Sequence, residues 1–141
     1  MRLQVCILTP DFIFQKEETD ELILPTSTGQ IGVLRGHASL ITALDIGLMI
    51  SRYQSVWKTL ALIGGFALVQ KNQVTILVNE AVTAFSIDEK EAKKTLDDSY
   101  NRLRQVVEEK RKVEAIFAYK RARVRYQIVQ WKKLYNFFYT L

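Results

Sequence analysis

Cysteine is almost missing from this chain. Cys6 is its one cysteine, which excludes an internal disulfide framework and fits a reducing compartment. Two prolines and six glycines are too few for a collagen-like or low-complexity chain. No apolar run approaches the ~20 residues that a spanning helix needs, so no integral membrane protein is expected. Met1-Arg2-Leu3-Gln4 runs straight into strand-like sequence, and no signal or transit peptide is expected. Disorder is excluded by 48% apolar and 25% charged residues, which are ordinary globular values. A chain of 141 residues makes one domain, or one domain plus a small appendage. It buries about 68% of its unfolded surface, enough for a real core.

Catalytic equipment is equally scarce. His37 is the one histidine, and nothing near it matches a nucleophile elbow. Beside a Gly turn it reads as a hydrogen-bonded turn residue. No spacing of His, Cys and carboxylates suits zinc. Gly29-Gln30-Ile31-Gly32 lacks the Gly-Lys-Ser/Thr of a phosphate-binding loop. Gly64-Gly65 opens another strand-like run, not a helix, so a dinucleotide fingerprint is unsupported. Cys6 alternates within a strand and reads as a small core hydrophobe. No enzyme activity, cofactor or metal is expected.

What is present divides in two. Residues 1–86 read as short strands: Leu3/Val5/Ile7, Leu22-Ile23-Leu24 ended by Pro25, Leu48-Met49-Ile50, Leu60 to Ile63, Phe66 to Val69, and Val74 to Val78. Turn signals recur roughly every 8–12 residues, the rhythm of a sandwich or barrel. From about residue 87 the period becomes helical. Asp88 with Glu91 offers a capping box. Ala92, Leu96, Tyr100, Leu103 and Val107 then trace one helix face. A second register holds Val113, Phe117, Val124, Ile128, Trp131 and Tyr135, beside a small-residue strip of Ala115, Ala118 and Ala122. Gln105 to Lys112 contains no Gly or Pro. The two registers therefore suit either an antiparallel αα-hairpin or one long helix that needs an outside partner.

Charge separates the halves further. Residues 1–86 carry 6 Lys+Arg against 7 Asp+Glu, and residues 87–141 carry 14 against 8. The stretch 110–133 holds nine basic residues and one acid, Glu114. So one-sided a segment suits an anionic partner: nucleic acid, an anionic lipid surface or an acidic protein patch. Lys120-Arg121-Ala122-Arg123-Val124-Arg125-Tyr126 is basic with nearby aromatics. No fold motif for nucleic-acid recognition accompanies it.

Three blocks together resemble the epsilon subunit of the rotary proton-translocating ATP synthase, of the chloroplast and cyanobacterial type. The first runs from Leu24-Pro25-Thr26 through Gly29-Gln30-Ile31-Gly32-Val33-Leu34-Arg35-Gly36-His37-Ala38 to Ile41-Thr42-Ala43-Leu44-Asp45-Ile46-Gly47. The second is Gly64-Gly65-Phe66-Ala67-Leu68-Val69 with Asn72 to Val78, and the third is Arg121-Ala122-Arg123. The resemblance covers about residues 3–130.

It implies an N-terminal β-sandwich over residues 1–86 and a C-terminal antiparallel αα-hairpin over 87–130. It implies a non-catalytic central-stalk subunit bound to the gamma subunit and the membrane rotor ring, whose helices restrain ATP hydrolysis. By position, the loop Gly29, Gln30, Ile31 and Gly32 faces the rotor ring, with His37 in the same partner-facing motif. Lys120, Arg121, Arg123 and Arg125 meet an acidic segment of the catalytic beta subunit. Gln30 stands where some relatives have Glu, and Ser39 where the motif has Pro. Some bacterial relatives bind ATP through Ile/Leu-Asp-x-x-Arg-Ala. Here the match is Ile87-Asp88-Glu89-Lys90-Glu91-Ala92, and a carboxylate at Glu91 repels a phosphate. The implied location is the stromal side of a chloroplast thylakoid membrane, peripherally, or the cytoplasmic side of a bacterial membrane. The aromatic extension 131–141 goes beyond the usual end of the family and has three readings: extra contact with the complex, interfacial membrane affinity, or one more helical turn with a frayed end. The rival reading of the chain is a basic helical nucleic-acid-binding adaptor on a β-sandwich.

Overall fold

The computed structural model describes residues 2–10 and 13–140, without the side chains of Ile13 and 136–140. The aromatic rings of Phe137, Phe138 and Tyr139 thus lie outside the described residues. The chain forms two compact units, Met1–Val82 and Thr83–Leu141.

The first unit is an eight-stranded β-sandwich: β1 (Leu3–Leu8), β2 (Ile13–Thr19), β3 (Glu21–Thr26), β4 (Gly29–Leu34), β5 (Leu40–Leu44), β6 (Gly47–Tyr53), β7 (Val56–Gln70) and β8 (Gln73–Val82). The strand order is β2-β1-β8-β7-β5-β3-β4, with β6 pairing to both β3 and β7. β7 is the pivot. Its first half pairs with β6 and its second half with β5, while β8 runs antiparallel along most of it. A circuit of β7, β5, β3 and β6 closes the sheet over its own apolar face. One parity of each strand fills that interior: Leu3, Val5 and Ile7 from β1, Leu22 and Leu24 from β3, Ala67 and Val69 from β7, and Val74, Ile76 and Val78 from β8.

Several expectations need correction. Cys6 belongs to the parity opposite Val5 and is half-buried, outside the core cluster. Pro25 does not end its strand. Its ring suits an extended backbone, and its carbonyl accepts the Asp45 N–H at 3.1 Å. Gly64-Gly65 is no turn either, since β7 keeps one register with β8 from Ile63↔Glu80 to Gly65↔Val78. Both glycines hold positive φ, +63° and +152°, which lets the strand bend without breaking. The stretch Gly29 to Gly32 is strand, not loop: it opens β4 and pairs with Pro25 to Thr26 and their neighbours in β3.

The second unit begins with a 3₁₀ turn (Ala84–Ser86), followed by α1 (Glu89–Gln105) and α2 (Glu109–Thr140). Of the two arrangements open in the sequence, the hairpin is the one observed. Tyr100 meets Tyr119 at 5.8 Å between ring centroids, and Lys93 lies 5.5 Å over the Tyr126 ring. Glu89 meets Gln130 and Lys133. Descending numbers on α1 match ascending numbers on α2, so the helices are antiparallel. α1 stops without Gly or Pro because Val106 turns to an extended backbone at φ −76°, ψ 129°. Val107 therefore leaves the helix and is 91% exposed. Asp88 is the N-cap of α1 but its side chain makes no capping hydrogen bond, so the expected box does not form. Of the small-residue strip, Ala115 and Ala122 are buried and Ala118 is half-buried, and Ala92 of α1 is buried as well. α2 runs unbroken past residue 130. No helix among the described residues is long and apolar enough to cross a membrane.

Candidate partner-binding surfaces

The residues singled out on the sandwich sit at two separate places. Gly29 and Gln30 are exposed at the β3–β4 turn. Gly29 takes φ +123°, a backbone that glycine reaches without Cβ strain. The Thr26 hydroxyl donates to the Gly29 carbonyl and ties the turn to β3. Ile31 is half-buried and Gly32 is exposed, with nothing within 4 Å of where a Cβ would stand. His37 lies beyond the other end of β4. That strand spans six residues, about 17 Å at a β rise, so the fold does not bring His37 to Gly29 and Gln30. His37 is a turn residue: its N–H donates to the Leu34 carbonyl at 3.1 Å, and its Nδ1 lies 2.7 Å from the Ala38 carbonyl oxygen. The neighbouring Gly36 N–H donates to the Asn72 side-chain oxygen at 2.7 Å. This pins the β4–β5 connection to the β7–β8 turn.

A larger surface was missed by reading the sequence. The outward parity of β5, β7 and β8 carries Ile41, Phe66, Leu68 and Leu77, and all four are exposed, Ile41 at 74% and Phe66 at 58%. Cross-strand pairing makes them neighbours: Ile41 opposes Leu68, and Phe66 opposes Leu77. Beside them a groove of about 360 Å³ is lined by Leu8, Thr9, Pro10, Gly65, Phe66 and Leu77, with Val78 and Asn79. Contiguous exposed apolar residues on a sheet mark an interaction site. The signal was present in Phe66-Ala67-Leu68-Val69 and Thr75-Ile76-Leu77-Val78, where both parities are apolar. A strand with one face in water alternates instead.

One electrostatic knot closes the β2–β3 corner. The Gln54 backbone N–H donates to Asp20 at 2.8 Å and Arg2 Nε donates at 2.9 Å. These, the backbone donor first, hold the Asp20 carboxyl below its ordinary value.

The basic residues of α2 do not share one face. At 100° per residue, Lys120 and Arg123 form one row and Arg121 and Arg125 another. Arg123 is exposed, while Lys120, Arg121 and Arg125 are half-buried. The Arg123 guanidinium lies 5.5 Å over the Tyr119 ring. An anionic partner can therefore reach Arg123 most directly.

A cleft of about 630 Å³ in the same unit is lined by Glu89, Lys90, Lys93, Lys94, Asp97, Asp98 and Tyr126. Three cations face three acids, and Lys93 is already paired with Asp97 at 3.3 Å. Such a lining carries no net charge to attract a polyphosphate and no guanidinium fork. Glu89 is drawn below its ordinary value by hydrogen bonds from Lys133 and Gln130, and Lys133 is raised by the same contact. Among the described residues no His, Cys, Asp and Glu cluster suits a metal.

A family model for the ATP synthase delta/epsilon chain, beta-sandwich domain, matches residues 2–84. The chain is 55% identical over 129 residues to the ATP synthase epsilon chain, chloroplastic, of Oltmannsiellopsis viridis, covering 92% of this chain and 98% of that one. It is 57% identical over 130 residues to the protein of that name from Chlorella vulgaris, with 92% and 97% covered. It is 43% identical over 129 residues to the one from Citrus sinensis, with 92% and 97% covered. A chain in the OSCP/F1/c-ring assembly of Euglena gracilis mitochondrial ATP synthase superposes with a TM-score of 0.78 at 23% identity, over 86% of this chain and 78% of that one. A chain in the central stalk/c-ring of the Tetrahymena thermophila enzyme gives 0.60 at 15% identity, over 92% and 97%. At these identities the two solved structures establish a shared fold.

Proposed function

This chain belongs to the ATP synthase delta/epsilon family, and from that premise we propose that it is a non-catalytic central-stalk subunit of a rotary ATP synthase. It couples the catalytic head to the membrane rotor ring and restrains ATP hydrolysis through its helical unit. The observation that carries this reading is the exposed apolar face of Ile41, Phe66, Leu68 and Leu77 on a well-packed sandwich. Left in water, such a face lowers solubility. Covered by the gamma subunit, it fixes the sandwich to the shaft.

The other contacts follow from placement. Gly29 and Gln30, exposed at the β3–β4 turn with Ile31 and Gly32 behind them, meet the rotor-ring subunits. Gln30 makes that contact by hydrogen bonding and not by charge. Arg123, with Lys120, Arg121 and Arg125 around it, meets an acidic segment of the beta subunit. An exposed cation against an acidic loop is a contact that salt weakens, which suits a reversible brake. Glu91 in place of an Arg, and the balanced charges of the α1–α2 cleft, support weak or no ATP binding by this subunit. By analogy with its chloroplastic relatives, it works at the stromal side of the thylakoid membrane, held there through the complex.

The test is ATP hydrolysis by a synthase head depleted of this subunit, with the whole chain or a chain ending at Ile87 added back. Inhibition by the whole chain alone places the brake in the helices. Inhibition by both moves it to the sandwich. If neither inhibits or binds gamma, and the whole chain instead binds random duplex DNA with strong salt dependence, the nucleic-acid adaptor replaces this reading.

A further inference from the structure

α2 outruns α1. Seventeen residues of α1 and thirty-two of α2 correspond to about 25 Å and 48 Å of helix. The antiparallel ladder keeps step along α1 from Glu89 to Tyr100. Partners on α1 fall at Tyr100, Lys93 and Glu89, and those on α2 at Tyr119, Tyr126 and Gln130, so both helices step by seven and then four. One turn past the last rung, Lys133 Nζ donates to Glu89 Oε1 at 2.9 Å, and Gln130 Nε2 donates to the same oxygen at 3.1 Å. Residues 130 and 133 share a helix face, so both reach one carboxylate. Between them, Lys132 Nζ sits 3.5 Å from the centroid of Phe85 in the 3₁₀ turn. Phe85 is 85% exposed.

We infer that residues 130–133 form a clasp which grips the start of the helical unit, at Phe85 and Glu89, and sets how readily the hairpin opens. The geometry separates this contact from ordinary surface ion pairs. Other ion pairs of the helical unit, Lys93 with Asp97 and Arg111 with Glu108, join neighbours three or four residues apart and do not tie α1 to α2. Here Glu89 is tied to residues 41 and 44 positions away, and the tie must break before α2 can leave α1. Because Asp88 makes no capping bond, the clasp also supplies the side-chain order that the first turn of α1 lacks. Its regulatory consequence rests on the proposed function: a looser clasp raises the share of open chains able to engage the head.

Amide hydrogen exchange on the free, whole chain tests the clasp in a double-mutant cycle of Glu89→Gln, Lys133→Gln and both. Lys133→Gln is expected to speed exchange at residues 90–95 about three-fold in the native background and to add nothing once Glu89 is Gln. Equal effects of Lys133→Gln in both backgrounds overturn the clasp, as does no effect in either. General unfolding by the substitution itself is recognised by a loss of helical circular dichroism in the native state, which the clasp does not predict. Hydrolysis by the depleted head gives the second reading: the faster-opening variants inhibit at about three-fold lower concentration. Unchanged inhibition with a confirmed cycle overturns the regulatory role. Absence of inhibition by the native chain strikes at the proposed function alone, because exchange is read without the head.

Discussion

Gly65 approaches Leu77 so closely that a Cβ added to it would stand 1.9 Å from the Leu77 carbonyl oxygen, and its φ is +152°. Both facts forbid a side chain. Gly65→Ala therefore forces β7 and β8 apart next to Phe66 and Leu77, and is expected to cost about 3 kcal/mol. Gly32→Ala meets nothing within 4 Å at an ordinary φ and is expected to change stability by less than about 0.5 kcal/mol. Urea unfolding of the whole chain compares them. Equal stabilities for the two variants would refute this account of the bend. Gly32→Ala then serves to probe the rotor-ring contact without disturbing the sandwich.

The exposed sheet face gives a binding prediction. Phe66→Ser and Leu68→Ser remove apolar area that faces solvent in the free chain, so the melting temperature should move little. Binding to gamma should weaken about ten-fold for each, a hot-spot loss of ~1.4 kcal/mol. The checking measurement is the dissociation constant of the whole chain for the gamma-containing head. Undiminished affinity in both variants sets the gamma contact elsewhere.

Asp20 contributes to acid stability. Its folded carboxyl lies below the ordinary value of 3.8, held there first by the Gln54 N–H and also by Arg2. A depressed carboxylate contributes stability that is present above the unfolded pKa and is lost as pH falls through the folded one. The native chain is thus expected to lose stability on acidification below about pH 4, and Asp20→Asn to lose less over that interval. Parallel pH profiles of unfolding midpoints for the two chains would count against the Asp20 knot.

How much of this was legible in the sequence depended on whether a residue's neighbours were local. Leu3, Val5 and Ile7 alternate, and alternation alone puts them in the core. The helical register from Ala92 was equally plain, and the hairpin was one of two arrangements it allowed. β2, reading Ile-Phe-Gln-Lys-Glu-Glu-Thr, carried no apolar pattern because it is a strand at the end of the sheet order, paired to β1. Cys6 misled because its small apolar side chain suggested the core, although its alternation with Val5 and Ile7 already set it on the opposite parity. Gly64-Gly65 read as a turn because two glycines usually end a strand, whereas here β8 holds the bend from outside. The outer apolar face left a local trace, since both parities are apolar in Phe66-Ala67-Leu68-Val69, whereas the Glu89 contacts join residues 41 and 44 positions apart and no local spacing encodes them.

The basic residues of α2 make the last prediction, and geometry ranks them. Arg123 is exposed while Lys120, Arg121 and Arg125 are half-buried on two rows. If the brake is an acidic segment meeting this helix, Arg123→Ala should weaken inhibition of hydrolysis several-fold, with the residual inhibition less sensitive to salt. Its effect on stability should stay within about 0.5–1 kcal/mol, the worth of its stacking on Tyr119 at an exposed site. Arg121→Ala is different in kind. Its stem lies between buried rows that include Ala122 and Val124, so part of any loss reflects packing and is independent of salt. Titrating each variant against the depleted head at low and high ionic strength separates the two. A larger salt-dependent loss from Arg121 than from Arg123 would reverse the ranking, and would place the acidic partner along the half-buried row.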